Sequence, residues 1–378
     1  MPELSGGEMK KIAAAFVRRS MRIGKKKGGY EAVRILYNRT DPSCERFAQM
    51  VEEECWRVGA HVVFLGYSSK RQKINYILKP TKSLKEVNPF SEAIARNADV
   101  SIFIGEEDDP NWAKGLTPKL KLTAPNRQKL REIMDRRKVR WAYFGWPIPG
   151  AAKAYGLPVE RFRQIFFNSV RQSFGHELRG YCEFYRKALA GGDMVRIVAD
   201  DGTDLRFSIR GRPALVDDGV ISPEDIARDD VGLNIPAGEV FVAPIETSAE
   251  GKISFENVAI PGFGKIRRLE LTFRRGKVVD YRAESGLENF TKFLKANTGE
   301  KDRIAELGIG TNPGAEYTGG SIIVDEKIFG TIHIAIGNNR GAYHGRNKAS
   351  SHLDMIKDMK RGQVFVENKI VMNKGKPA

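Results

Sequence analysis

The order of apolar segments in the first half of the chain limits the possible folds more than any other feature. Four short apolar runs are separated by stretches with amphipathic helical spacing, at about 43–58 and 124–137. Strands that alternate with helices are typical of parallel sheets with crossover connections. We therefore predict an open, mostly parallel α/β sheet. Its four predicted strands are Ala32–Tyr37, His61–Leu65, Val100–Gly105 and Arg140–Gly145.

This pattern changes near residue 190. A predicted helix from about Pro158 to Leu189 ends at a Gly-Gly pair, and short strands joined by turns at 201–202 and 275–276 follow it. Only one further helix is predicted, from about Ser285 to Ala296. We therefore predict two domains. Residues 1–190 form the α/β domain, and residues 191–378 form an α+β domain that is largely antiparallel.

The charge distribution changes at the same place. The chain of 378 residues has a net charge of +16, with 36 basic and 20 acidic residues in 1–190 and 27 of each in 191–378. Basic domains often bind nucleic acid, but no zinc-finger spacing or aromatic RNA-binding signature accompanies the basic clusters. We interpret the basic half as a solvated surface and expect no nucleic-acid partner. A non-enzymatic basic nucleic-acid-binding protein stays open as an alternative.

The lack of a membrane-spanning run or a secretory signal, together with the cysteine pattern, indicates a cytoplasmic protein. No apolar run approaches the roughly 18 residues that a membrane span needs, and the first residues lack the basic start and apolar stretch of a secretory signal. The three cysteines are an odd number without short metal-type spacing, which argues against a disulfide framework or a zinc ribbon. We therefore expect neither a membrane partner nor secretion.

Histidines cluster near the end of the chain, where His333, His344 and His352 account for three of the five. In a strand, residues two apart point to the same side, so His352 and Asp354 could converge on one metal ion. His333 shares one face of an apolar strand with a threonine and an alanine, while isoleucines occupy the other face. This arrangement favours a site, although for each motif alone a buried structural histidine stays the alternative.

Two glutamates lie in apolar surroundings. Glu239 stands at the entrance to an apolar strand, and Glu306 is followed by apolar residues and glycine. A carboxylate is costly to bury unless it is paired or coordinates a metal. The sequence therefore indicates metal ligands or, alternatively, salt-bridged strand ends.

Taken in order, these residues resemble the metallo-aminopeptidases of the aminopeptidase S and aminopeptidase T family, the thermophilic-type leucyl aminopeptidases. The resemblance is strongest from about Gly202 to Met355, although the chain departs from the family in the spacing before His333 and in extra residues within 338–341. The motifs that carry it are Gly238-Glu239-Val240-Phe241, Glu306, Asp325-Glu326, His333-Ile334-Ala335-Ile336-Gly337, Ala342-Tyr343 and His352-Leu353-Asp354.

The resemblance implies an exopeptidase that removes N-terminal amino acids from short peptides. It further implies a homodimer and two adjacent divalent ions (zinc, cobalt or manganese), which activate a shared water. Tyr343 would donate a hydrogen bond to the developing oxyanion, Glu239 is assigned a catalytic role as well, and Glu306 is a candidate bridge. The implied metal ligands are Glu239, Glu306, Glu326, His333, His352 and Asp354.

A second enzyme class stays open. His333, His352 and Asp354 alone would form the two-histidine, one-carboxylate triad of mononuclear iron(II) oxygenases. Dihydroxypyridine dioxygenases, which cleave an aromatic ring, resemble this peptidase family. The presence of Glu239 and Glu306 favours two metals over one.

Overall fold

A computed structural model describes residues 4–378. The chain forms two compact units, Met1–Phe167 with Gly219–Ile235 and Asn168–Asp218 with Pro236–Ala378. The predicted single boundary at residue 190 thus differs from the observed division. The difference arises because residues 219–235 supply a strand to the first unit, whereas the helix before residue 190 belongs to the second.

The helices and strands follow one another along the chain with few long connections. The helices are α1 (Gly6–Ala15), α2 (Pro42–Arg57), α3 (Ser69–Leu78), α4 (Thr81–Leu84), α5 (Pro89–Asn97), α6 (Thr117–Arg136), α7 (Pro149–Tyr155), α8 (Val159–Ser173), α9 (His176–Leu189), α10 (Pro223–Ala227), α11 (Leu287–Ala296) and α12 (Ile322–Asp325), with a π-helical turn at Phe16–Ser20 and a 3-10 turn at Gly341–Tyr343. The strands are β1 (Lys25–Lys26), β2 (Gly29–Tyr30), β3 (Ala32–Asn38), β4 (His61–Tyr67), β5 (Val100–Ile104), β6 (Arg140–Phe144), β7 (Met194–Ala199), β8 (Asp204–Ser208), β9 (Leu215–Asp217), β10 (Gly232–Ile235), β11 (Glu239–Val242), β12 (Glu250–Ile260), β13 (Gly264–Arg274), β14 (Lys277–Arg282), β15 (Ile304–Gly310), β16 (Thr331–Gly337), β17 (His352–Asp358), β18 (Gly362–Val366), β19 (Lys369–Asn373) and β20 (Lys376–Pro377).

The first unit contains the predicted parallel sheet. Its strand order is β10-β6-β5-β3-β4, and every pair is parallel. The four strands predicted from the sequence are β3 to β6. The fifth, β10, was missed because it comes from the second half of the chain and pairs with the otherwise open edge of β6. A short segment of four residues carries little periodicity from which a strand could be predicted.

Local signals in the sequence determine where helices begin. The side chain of Asp41 accepts hydrogen bonds from the backbone N–H groups of Ser43 and Cys44, and Pro42 opens α2, which is a favourable helix start. The single helix predicted over 158–189 is divided into α8 and α9, because Gly175 adopts an extended backbone as the N-cap of α9. Within residues 4–378, no helix is both long and apolar enough to cross a bilayer.

The second unit consists mainly of two antiparallel sheets, as predicted. A five-stranded sheet has the order β17-β16-β15-β11-β9, and an eight-stranded sheet has the order β14-β13-β12-β8-β7-β18-β19-β20. The predicted hairpin strands are β7 with β8 and β13 with β14, and the predicted late helix is α11.

One face of the five-stranded sheet is apolar except for Lys357 of β17, and it packs into the core of this unit. Fully burying each aliphatic side chain contributes about 1.5–3 kcal/mol, so this face makes the sheet a firm platform. Because side chains alternate along a strand, the carboxylates and His333 of the same strands lie on the opposite face. The core-facing residues include Val240, Val242, Leu307, Ile309, Ile332, Ile334, Ile336, Leu353 and Met355.

Candidate metal centre

The strand register of the five-stranded sheet places the predicted ligands on its second face. Ala335 of β16 pairs with Glu306 on β15 and with Asp354 on β17. On β11, Glu239 pairs with Asp217 of β9. Directly opposite residues point to the same side of a sheet, so acidic side chains from β9, β11, β15 and β17 share one surface. The alanine between Glu306 and Asp354 leaves room for the larger groups.

Glu306 lies between two imidazoles and is almost fully buried. Its Oε1 is 3.3 Å from Nε2 of His333, and its Oε2 is 2.9 Å from Nε2 of His352. Burial opposes ionisation, but these two contacts outweigh it and hold the pKa of Glu306 well below its usual range. Burial disfavours the charged imidazolium and would by itself lower the pKa of His333. Glu306 and other acids instead raise this pKa to about 9. Each oxygen of Glu306 therefore faces a different potential ligand.

His352 is oriented for coordination through one nitrogen. Its Nδ1 lies 2.7 Å from the carbonyl oxygen of Asn338, so the tautomer that satisfies this carbonyl carries its proton on Nδ1. Such a bond typically fixes a metal-ligating histidine. The other nitrogen, Nε2, faces oxygens of both Asp354, at 3.1 Å, and Glu306. A lone pair that points at two carboxylates requires a proton or a cation between them.

Glu239 and Glu326 meet a buried lysine. Nζ of Lys327 lies 2.5 Å from Oε1 of Glu239, 2.9 Å from Oε1 of Glu326 and 3.2 Å from Oδ2 of Asp217. Burial disfavours the charged lysine, but the three carboxylates raise its pKa well above the usual value. Oε2 of Glu239 makes no hydrogen bond and lies 3.6 Å from Nε2 of His333. Burial raises the pKa of Glu239 to about 8.

These side chains fit the divalent cations that the resemblance implies. Two groups of ligand atoms each lie within 4.8 Å of one another, Glu239 with Glu326 and His333, and Glu306 with His333 and Asp354. Carboxylates and neutral imidazoles suit zinc, cobalt and manganese. The unpartnered Glu239 Oε2 and the Nε2 of His352 are the atoms that such a cation would satisfy.

Tyr343 lies beside this centre on the 3-10 turn. Its ring centroid is 5.3 Å from that of Phe241 and 5.8 Å from that of His352. Burial, followed by the charge of Glu306, raises the pKa of Tyr343 well above 10.0, so its hydroxyl keeps its proton. Tyr343 is therefore placed to act as a hydrogen-bond donor.

A buried ion pair anchors the loop that carries Tyr343. Arg212 lies 2.8 Å from Oε2 of Glu246 and also donates to the carbonyl oxygen of His344. Oε1 of Glu246 accepts hydrogen bonds from the backbone of Arg346, at 2.6 Å, and from the side chain of Asn339. These bonds hold residues 337–346, which are rich in glycine, asparagine and arginine, in place without a regular strand.

The structure brings together all six residues predicted as ligands, and Tyr343 with them; the roles of the seven stay predictions. Lys327 and Asp217 were not predicted from the sequence. A charged Asp325-Glu326-Lys327 triplet between apolar residues was the available signal for Lys327. Asp217 is positioned by cross-strand pairing with Glu239, which residue spacing does not reveal.

Comparisons with known proteins give both a family and two structural relatives. A family model described as thermophilic metalloprotease (M29) matches residues 8–375. Aminopeptidase AmpS of Bacillus subtilis (strain 168) is 20% identical in an alignment of 276 residues that covers 67% of this chain and 66% of that protein, just under two thirds of its length. Wild-type AmpT from Thermus thermophilus matches with a TM-score of 0.74 and 20% identity, covering 98% of each chain.

A dioxygenase shares the fold as well. The 2,5-dihydroxypyridine dioxygenase of Pseudomonas putida KT2440 matches with a TM-score of 0.63 and 16% identity, over 100% of this chain and 98% of that one. The fold therefore occurs with more than one chemistry, and only the site can discriminate between them. The family match spans nearly the whole chain. The chain belongs to the thermophilic metalloprotease (M29) family, a family of peptidase hydrolases.

Proposed function

We propose that this protein is a metal-dependent aminopeptidase that removes N-terminal amino acids from short peptides and uses two divalent cations. The charge of the buried site carries the proposal. The site contains five carboxylates, those of Asp217, Glu239, Glu306, Glu326 and Asp354, and one ammonium, that of Lys327. When every carboxylate is ionised and both imidazoles are neutral, as metal binding requires, its net charge is −4. Two divalent cations would balance this charge.

Specific side chains would hold these ions. Glu239, Glu326 and His333 are proposed for one ion, and Glu306, Asp354 and His352 for the other. Glu306 is the candidate bridge because its two oxygens face different imidazoles. When bound, such a pair of ions lowers the pKa of a water molecule and polarises the scissile carbonyl.

Tyr343 is the proposed hydrogen-bond donor. Its protonated hydroxyl is held near Glu306 by a ring contact with Phe241 and by the anchored loop. As the peptide carbonyl becomes an oxyanion, this hydroxyl would donate a hydrogen bond to it. A donor of this kind typically contributes about 3 kcal/mol to transition-state stabilisation.

A mononuclear iron(II) dioxygenase is the second candidate, favoured by the fold shared with the dihydroxypyridine enzyme. Its triad would be His333, His352 and Asp354. A single divalent ion would neutralise only half of the −4 that the site carries when its ligands are deprotonated, and the triad would give Glu239 and Glu326 no part in holding the ion. These two observations favour the aminopeptidase.

A paired activity assay discriminates between the two. The metal-free protein is reloaded with zinc, cobalt or manganese and incubated with a short peptide and with its N-acetylated form, and metal content is measured in parallel. We expect two ions per chain, release of the first amino acid only from the free peptide, and loss of activity on chelation. Hydrolysis that survives complete metal removal would refute the proposal. One iron per chain with oxygen consumption on 2,5-dihydroxypyridine would establish the dioxygenase.

We also propose a homodimer, on the family resemblance alone, and a cytoplasmic location, on the apolar-run and cysteine patterns of the sequence. Light scattering of the purified protein measures the assembly, and a monomer at micromolar concentration would contradict it. Fractionation of the producing cells tests the location.

A further inference from the structure

Lys327 has a position that the proposed reaction does not explain. Its side chain is completely buried, and its ammonium contacts Glu239, Glu326 and Asp217 within 3.2 Å. An ammonium has three N–H donors, so three carboxylates use its full capacity. No donor is left for a substrate. Lys327 therefore acts through the carboxylates that it holds.

The backbone around Lys327 is fixed as firmly as its side chain. The N–H of Asn312 donates to the carbonyl oxygen of Lys327 at 2.8 Å, and Asn312 accepts in turn from Phe329. The buried Asn312 side chain donates to the carbonyl oxygen of Ala237, two residues before Glu239. Asn312 therefore joins the loop of Lys327 to the start of β11. These hydrogen bonds hold the lysine in a fixed position beside the glutamates.

Lys327 also limits what the two glutamates can offer. It occupies Oε1 of Glu239, while Oε2 of the same residue points toward His333 without a hydrogen bond. Oε1 of Glu326 is occupied in the same way. Each glutamate thus keeps one oxygen for a further cation. No lysine or arginine contacts Glu306 among the ion pairs of residues 4–378, where both of its oxygens face histidines.

We propose that Lys327 is a fixed counter-cation and positioning residue of the metal centre, which restricts Glu239 and Glu326 to one metal-facing oxygen each and makes their ion the more weakly held of the two. The inference rests on the proposed two-metal function. An ammonium beside a divalent cation repels it through a poorly screened interior. Among residues 4–378, Lys327 makes no ion pair with Asp354, which would hold the other ion together with His352 and Glu306. The same charge replaces part of the missing metal charge in the metal-free protein.

The test compares Lys327→Met with Lys357→Met. Both lysines are buried in the second unit, but Lys357 pairs with Asp201 and donates to the carbonyl oxygen of Ser254, and it touches none of the proposed ligands. Manganese and zinc dissociation constants are measured by competition with a fluorescent chelator, and melting temperatures are recorded with and without metal. Variants that unfold without metal are purified loaded, and the rate at which a chelator removes the first ion replaces the equilibrium measurement.

We expect two unequal dissociation constants in the parent protein. In Lys327→Met the weaker ion should bind at least tenfold more tightly or leave at least tenfold more slowly, and the rise in melting temperature on metal addition should increase. Lys357→Met should leave both dissociation constants unchanged. An unchanged ratio of constants in Lys327→Met, a weaker ion that binds less tightly, or equal destabilisation with and without metal would overturn the proposal. A parent protein that binds only one ion would overturn the two-metal function itself, which the stoichiometry reports separately.

Discussion

The imidazole of His333 lies directly over Gly308, its partner on the neighbouring strand. A Cβ atom at residue 308 would come within 2.0 Å of Cε1 and Nε2 of the ring. Gly308 does not have a positive φ, so its backbone conformation does not require glycine. Glycine is required only because there is no room for a Cβ atom beneath the His333 ring. A glycine on β15 therefore determines where a predicted ligand on β16 can stand.

Gly308→Ala should displace the His333 ring from Glu306 and Glu239. We expect a loss of metal affinity together with a loss of stability of about 1–3 kcal/mol, the usual cost of overpacking a filled interior. Metal content by elemental analysis and unfolding in denaturant measure the two effects. Gly180→Ala is the matched control, because a Cβ there meets nothing within 4 Å in an exposed position of α9. A Gly308→Ala protein with normal metal content would show that the ring can move aside at no cost.

Tyr343→Phe removes only the proposed donor. We expect kcat and kcat/KM to fall together by about a hundredfold, the typical effect of losing one oxyanion donor, because the bond is made only in the transition state. Metal content should stay normal.

Tyr281→Phe is the control for the lost hydroxyl. The Tyr281 hydroxyl contacts Thr291 in the same unit and none of the proposed ligands. Parent-like activity in Tyr343→Phe would contradict the donor role, and His344, the next residue along the loop, would then be the candidate to replace.

Sequence patterns predicted β3 to β6, because each strand is a bounded apolar run. The residues of the run themselves indicate a buried strand, without knowledge of its partners. They also predicted that His352 and Asp354 share a face, since this follows from the strand period of two. Both side chains do meet at 3.1 Å. By contrast, the single boundary at residue 190 ignored β10, whose membership in the first sheet depends on pairing with β6, and such pairing across about ninety residues leaves no local signal.

The residues that surround the proposed ligands could not be predicted from the sequence either. Lys327 is ordinary as a charged residue in a sequence, and only the fold shows that it is fully buried with three carboxylates. Gly308 is one glycine among many until the register places it under His333. Residue types thus predicted the candidate ligands, whereas cross-strand register determined what holds them.

The stability of the metal-free protein should depend on pH in a definite direction. Folding raises the pKa of His333 from 6.5 to about 9 and that of Glu239 from 4.5 to about 8. Between its unfolded and folded pKa values, each group binds more protons in the folded protein than in the unfolded chain. The stability of the folded protein therefore falls as pH rises. The contribution of His333 is complete below pH 6.5 and is lost by about pH 9, and that of Glu239 is lost by about pH 8.

Melting temperatures of chelated and metal-loaded protein between pH 6.5 and 9 test this expectation. Because metal binding requires deprotonated ligands, the melting temperature should fall with pH in the chelated protein, and the rise caused by metal should become larger. A chelated protein whose melting temperature is constant or increases over this range would contradict the assigned shifts.

Glu306→Gln separates one metal from two. Glu306 is the only proposed ligand among the described residues whose two carboxylate oxygens each face a different histidine. An amide keeps the shape but provides a single acceptor oxygen, so it cannot join two ions in the same way. We expect one equivalent of metal to be lost together with most peptidase activity. The remaining ion still stabilises the folded state by mass action, so the melting temperature of the loaded variant should fall only modestly.

Glu270→Gln supplies the comparison for this change, because Glu270 pairs with Arg282 in the eight-stranded sheet and contacts none of the proposed ligands. It should retain both ions and full activity. An oxygenase triad of His333, His352 and Asp354 would not require Glu306 as a ligand, so a single iron retained in full by Glu306→Gln would favour that chemistry. Retention of two ions and full peptidase activity would instead show that Glu306 does not bridge them. The metal count of this one variant therefore decides whether the two imidazoles beside Glu306 serve two ions or one.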